Sequence, residues 1–197
     1  MNETNLPPIV QSVRVSWSPT ESFERFTTRF SEWWPRETHS IGGPRVERIV
    51  FETHVGGRIF EQHVDGRRFQ WGKIVEWDPP RRVRFSWHPS REELTAQDVT
   101  IEFVPEGSGT QVILTAAGWE RWGEGAAKAR KMYNMGWGYV LNLWGQKRSL
   151  KMSLIGGLAS AIRMWQRIRG KTELQIEGDG GEIEPAHASP SLAERSS

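Results

Sequence analysis

The chain opens on an alternation of apolar and polar residues, IVQSVRVSW over 9–17, rich in β-branched side chains and predicting a strand. Ser18-Pro19 then places a cap residue before a proline at the first helical position, with Glu21 completing a capping box. Phe23, Phe26 and Phe30 recur at helical spacing and predict an amphipathic helix over 19–31. Pro35 and the glycines of SEWWPRETHSIGG end it. From 45 to 117 the pattern becomes short alternating runs divided by the turn signals VGGR, VDGRR, DPPR and PEGSG, as in an antiparallel meander. After Gly118-Trp119 the period lengthens, and Ala129, Met132, Tyr133, Gly136, Trp137, Val140, Leu141 and Trp144 mark one face of a long helix over about 125–148. The order is strand, helix pair, six strands, long helix: an α+β domain with the helix across the concave face of a twisted sheet.

The turns set a register, and the register sorts side chains between faces. With Gly56-Gly57 as a two-residue turn, Val55 opposes Arg58. Ile49, Phe51 and Thr53 then share the core face with Phe60, Gln62 and Val64. Phe69, Trp71, Lys73, Val75 and Trp77 join them, followed across the Pro79-Pro80 turn by Val83, Phe85 and Trp87, with Lys73 opposite Trp87. Val99, Ile101, Phe103, Val112, Leu114 and Ala116 complete the wall. Three polar residues are stranded on this face: Thr53, Gln62 and Lys73. Either they reach water at the sheet edge or they line a cavity whose ligand satisfies them, because a buried polar group without a partner is costly. The opposite face carries Glu52 opposite Glu61, with His54 and His63 alongside. It is expected to be the convex, solvated side, so neither acid–base chemistry nor a metal site is expected there.

Composition narrows the classes. Among 197 residues, 26 basic and 24 acidic side chains leave a net charge of +2, which is no footprint of a nucleic-acid binder. Cysteine is absent, excluding disulfides and thiolate metal sites. No apolar run approaches a membrane span and the N-terminus lacks the order of a signal peptide, so a cytoplasmic protein is expected. Eleven tryptophans exceed what a core of this size needs.

The motifs SPTESFERF (18–26), WWP (33–35), FETHVGGRIFE (51–61), WGKIVEWDPPRRVRFSW (71–87), VTIEFVPEGSGTQVILTAAGW (99–119) and YNMGWGYVL (133–141), in this order, resemble the START/Bet v 1-like (SRPBCC) superfamily. The resemblance is closest to the branch similar to the activator of Hsp90 ATPase homologue 1. It implies a helix-grip fold, a seven-stranded antiparallel sheet curled around a long C-terminal helix with a hydrophobic cavity between them. Members include lipid and polyketide carriers, cyclases and hydrolases, and a chaperone activator. The segment before Ile9 is too short for the separate N-terminal domain of the eukaryotic activator, so Hsp90 stimulation is not expected.

The expected organisation is a tail over 1–8, the helix-grip domain over 9–148, a basic amphipathic helical extension over 149–171 and a disordered acidic tail over 172–197. The expected function is binding of a small hydrophobic or aromatic ligand, without cofactor or metal. Trp33, Trp34, Phe51, Phe60, Trp71, Trp87, Tyr133 and Trp137 would give apolar contact, and Thr53, Gln62 and Lys73 would orient polar groups. The alternatives are an enzyme of the same fold using Lys73 or the Glu52/Glu61 pair, and a chaperone or membrane-surface interaction protein. The span 126–172 holds ten lysines and arginines and no acid, and Leu150, Leu154, Leu158, Ile162, Trp165 and Ile168 can share a face. That extension could contact a membrane surface, a protein or a second copy of the chain.

Overall fold

A computed structural model describes residues 6–146. Strand β1 (Ile9–Val15) leads into α1 (Pro19–Phe26), α2 (Phe30–Trp33) and α3 (Arg36–His39). The meander β2 (Val46–Phe51), β3 (Arg58–His63), β4 (Arg68–Asp78), β5 (Arg82–Trp87), β6 (Gln97–Glu106) and β7 (Gly109–Ala117) follows, and α4 (Ala126–Gly145) closes the domain. All neighbours are antiparallel, in the order β1-β7-β6-β5-β4-β3-β2, and the sheet curls into a half-barrel around α4. This is the α+β helix-grip architecture expected from the sequence. No helix among the described residues is long and apolar enough to cross a membrane. The extension over 149–171, with the contacts expected of it, and the tail over 172–197 lie outside the described residues.

Ser18 caps α1 as its sequence requires, its Oγ accepting from the Glu21 amide at 3.2 Å. The helix expected over 19–31 is divided in two. Thr27 Oγ1 donates to the Phe23 carbonyl at 2.7 Å, and α1 ends there before α2 resumes at Phe30. A β-branched hydroxyl that bonds back one turn competes with the next helical bond.

On β5, β6 and β7 the expected inner face is observed, with Val83, Phe85, Trp87, Val99, Ile101, Phe103, Val112, Leu114 and Ala116 all buried. On β3 it is inverted. The β2–β3 turn is longer than two residues: the Glu52 amide donates to the Arg58 carbonyl at 3.0 Å, so Arg58 opposes Glu52 and not Val55. The loop left over folds onto β4, where the Gly56 amide donates to the Ile74 carbonyl and the Ile74 amide to the Gly57 carbonyl. An odd displacement turns every side chain over. Ile59 and Glu61 therefore pair with Phe51 and Ile49 on the inner face, and Phe60 and Gln62 face outward.

Strand β4 carries two bulges. Trp71 is the extra residue against Ile59/Phe60, and Val75 the extra residue against Phe85/Arg84. The residues of β4 that face inward are then Trp71, Ile74 and Trp77, while Lys73 and Val75 are exposed. The diprolyl turn does set the expected pairing of Trp77 with Val83, but the bulge at Val75 removes Lys73 from Trp87.

Candidate functional site

The sheet and α4 grip a cluster of indoles. Trp34 arrives from the turn after α2, Trp71 and Trp87 from β4 and β5, and Trp137 from α4. Trp34 contacts Trp71 and Trp87 with ring centroids 5.4 and 5.5 Å apart, Trp71 meets Trp87 edge-on at 5.4 Å, and Trp137 closes on Trp87 at 5.1 Å. All four are buried. Phe51 lies beside them against Phe30 and Phe85, and Trp33, half-buried, packs on Phe26, Phe30 and Trp144. Tyr133, one helical turn before Trp137, packs against Trp119 and Trp122, and burial pushes its phenol above the ordinary range while Arg91 counters.

The indole nitrogens differ in how they are used. Trp34 Nε1 donates to the His39 carbonyl at 2.8 Å and Trp71 Nε1 to Glu61 Oε2 at 3.1 Å. Trp137 Nε1 is buried without a hydrogen-bond partner. Gln97, which opposes Trp87 on β6, is in the same position. Its Nε2 donates to the Thr95 carbonyl at 2.8 Å, which fixes the amide, while Oε1 is buried and unpaired. Trp137, whose ring meets that of Trp87, thus leaves a donor unused, and Gln97, paired with Trp87 across the strands, leaves an acceptor unused; Trp122 Nε1 and Trp144 Nε1 are likewise buried without partners. An unmade hydrogen bond of this kind costs about 1–3 kcal/mol per group.

Behind Trp71 lies a buried acid. The Glu61 carboxylate accepts from the Ile41 amide at 2.8 Å, the Gly42 amide at 2.7 Å, Trp71 Nε1 and His63 Nε2 at 2.5 Å. Glu61 is 0% exposed and His63 1%. The Glu61 carboxylate thus holds the ring at Nε2, while Nδ1 is buried without a hydrogen-bond partner. The ring lies against Phe69, centroids 4.6 Å apart, and under Gly42. Nearby, His39 stacks on Tyr139, and burial lowers its imidazole to about 4.

Several expected site residues are elsewhere. Thr53 is exposed in the β2–β3 loop. Gln62 lies in a polar network on the outer face, accepting from Arg48 and donating to Glu47. Lys73 is exposed, and Phe60 is buried on the outer face beneath the guanidinium groups of Arg58 and Arg68. The expected Glu52/Glu61 pair does not form. Burial works to raise the Glu52 carboxyl, but the hydrogen bonds and charge of Arg58, with that of His54, hold it below the usual carboxylate range. Glu61 and His63, expected on the solvated side, are instead inside. No group of three or more His, Cys, Asp or Glu able to hold a metal occurs among the described residues. Gln97 was legible after all, since it extends the inward alternation of Val99, Ile101 and Phe103 by one step.

Comparison with known proteins places this architecture. No curated protein matches the chain. An anthrahydroquino-gamma-pyrone synthase is 34% identical, with a TM-score of 0.49, over 74% of this chain and 98% of that one. CalU16 from Micromonospora echinospora is 17% identical with a TM-score of 0.53, over 84% of this chain and 87% of its own. The Aha1 dimer from Colwellia psychrerythraea is 14% identical with a TM-score of 0.50, over 73% of this chain and 100% of its own. The family model for Activator of Hsp90 ATPase homolog 1-like protein matches residues 16–143. With its curled sheet gripping α4, the chain belongs to that family, on the START/Bet v 1-like helix-grip fold.

Proposed function

We propose that this protein binds a small planar aromatic ligand between the sheet and α4, against Trp34, Trp71, Trp87 and Trp137. The observation that carries the reading is that two residues neighbouring Trp87 keep buried polar atoms without partners: a donor, Trp137 Nε1, on the ring packed against it, and an acceptor, Gln97 Oε1, on the residue paired with it across the strands. Aromatic walls with a few convergent polar atoms are the composition of a ligand site. A ligand carrying both a carbonyl or ether oxygen and a hydroxyl satisfies both atoms at once. Of the residues expected from the sequence, Phe51, Trp33 and Tyr133 belong to the surrounding packing in this reading, and Thr53, Phe60, Gln62 and Lys73 have no part in it.

The reading is tested by titrating the full chain with a panel of bicyclic and tricyclic hydroxyaromatics while following tryptophan fluorescence. Saturable, stoichiometric quenching is expected. Trp137→Phe keeps the ring and removes the donor, and Gln97→Leu removes the acceptor. Each is expected to weaken binding about 5- to 10-fold, the effect of one hydrogen bond. Linear, non-saturating quenching across the whole panel would overturn the reading.

A further inference from the structure

Helix α4 changes character along its length. Its first turns carry Lys128, Arg130 and Lys131, but from Met132 to Gln146 there is no charged side chain. One face of that span is spent on the interior, where Trp137 meets Trp34 and Trp87. The rest is not buried: Asn134 and Asn142 are exposed, Met135 is 46% exposed, and Tyr139 and Leu143 are half-buried. Met135, Tyr139 and Leu143 recur every fourth residue and so form one apolar stripe. On one flank α4 is tied to β1, through Gln11 and Asn134, and on the other to α3, through the stack of His39 on Tyr139. A helix face turned to water ordinarily carries charge, and an uncharged apolar stripe marks a surface that receives a partner.

We propose that this stripe is covered by residues 150–162 of the same chain, which fold back along α4. The backbone turns at the place this needs. Helix α4 ends at Gly145, and Gln146 is already extended, with φ −77° and ψ 118°, so the chain leaves the helix axis just past Leu143. Lys147, Arg148 and Ser149 then make a connection of the length that joins antiparallel helical neighbours. Beyond it Leu150, Leu154, Leu158 and Ile162 recur at the same four-residue interval as the stripe. Charge sets the extent of the contact. Met152 to Ile162 is uncharged, as Met132 to Gln146 is, and charge resumes at Arg163, where Lys128 and Lys131 on the first turns of α4 would repel it. A segment tethered this closely also has a far higher effective concentration at the stripe than any separate partner.

The chain contains no cysteine, so introduced pairs report the contact without background. In the full chain, Met135→Cys with Leu158→Cys is expected to close a disulfide within one molecule under mild oxidation, read by mass and by peptide mapping. Adding Leu154→Lys keeps the tether and charges the docking segment, and closure is expected to slow about tenfold or more. Leu143→Cys with Leu150→Cys, read against the same Leu154→Lys control, serves if the first pair does not fold. Closure at an unchanged rate would be the random collision of a tethered tail and would overturn the proposal, as would no closure at all. A covalent dimer would assign the stripe to a second copy of the chain instead. Loss of closure when the protein co-sediments with vesicles of phosphatidylcholine and phosphatidylglycerol would assign the segment to a lipid surface, and either result overturns the fold-back.

Discussion

At the scale of single residues, space and burial decide more than conformation. Gly42 has an ordinary backbone, φ −81°, and is glycine because a Cβ there would meet the His63 ring. Both that ring and the loop are tied to Glu61, so neither moves without losing a hydrogen bond. Gly42→Ala is expected to cost about 1–3 kcal/mol, the range for overpacking, read as a lower urea midpoint at unchanged slope. His39 gives a prediction of opposite character. Burial holds its folded value at about 4, below the ordinary 6.5. Between those values the unfolded chain takes up a proton that the folded chain refuses, so stability rises with pH across this window. The contribution is fully present above 6.5 and is lost as pH falls toward 4. A shift of that size corresponds to about 3 kcal/mol. His39→Phe, which keeps a ring against Tyr139, is expected to flatten the difference between urea unfolding at pH 7 and pH 4.5 by roughly that amount.

At the scale of elements, β4 determines what enters the interior. Beside its bulge at Trp71, β5 runs so close that a Cβ on Gly72 would lie 1.8 Å from the Ser86 carbonyl oxygen. That contact is with backbone and cannot be relieved by a side-chain rotation. Gly72→Ala is expected to separate β4 from β5 locally and to destabilise the domain by about 3 kcal/mol or more, with faster amide exchange at Lys73 and His88 as the local signature. The same bulges mark where sequence reading stops. Strands β5, β6 and β7 were legible because Val83 to Trp87 and Val99 to Phe103 alternate without interruption and Val112, Leu114 and Ala116 keep the same parity around Ile113. Strand β3 was not, because Gly56-Gly57 has the composition of a two-residue turn while Glu52 captures the Arg58 amide and lengthens the loop. That one displacement carried Gln62 out of the interior and brought Glu61 and His63 in. An extra residue at Trp71 or Val75 has no signature in the alternation, so the orientation of Lys73 followed a register that the bulge breaks. The indoles survived these errors because their burial is decided by size as much as by parity. Glu61 and His63 did not, since an acid and an imidazole in one strand read as a solvated face.

At the scale of the whole molecule, the grip couples the interior to global stability. Trp34 comes from the helical segment before the meander, Trp71 and Trp87 from its middle, and Trp137 from the last helix, so a ligand touching all four bridges elements far apart in sequence. The helix is fastened to β1 at its middle and its C-terminal end: Gln11 donates to Asn134 Oδ1 at 2.9 Å, and Gly145 lies so near Val13 that a Cβ would meet its Cγ2 at 2.7 Å. Access to the indoles therefore requires α4 to move relative to β1 or the segment carrying Trp34 to lift, and a bound ligand opposes both. A ligand that binds only the folded chain stabilises it by about 2.7 kcal/mol at one hundred times its dissociation constant. For a domain of this size that is a rise in Tm of roughly 5–10 °C. The rise is expected to increase with the logarithm of ligand concentration, and to vanish in a Trp34→Ala, Trp137→Ala double variant even if that protein remains folded. A ligand that quenched tryptophan fluorescence without raising Tm would be binding at an outer indole, and the grip would have no part in holding it.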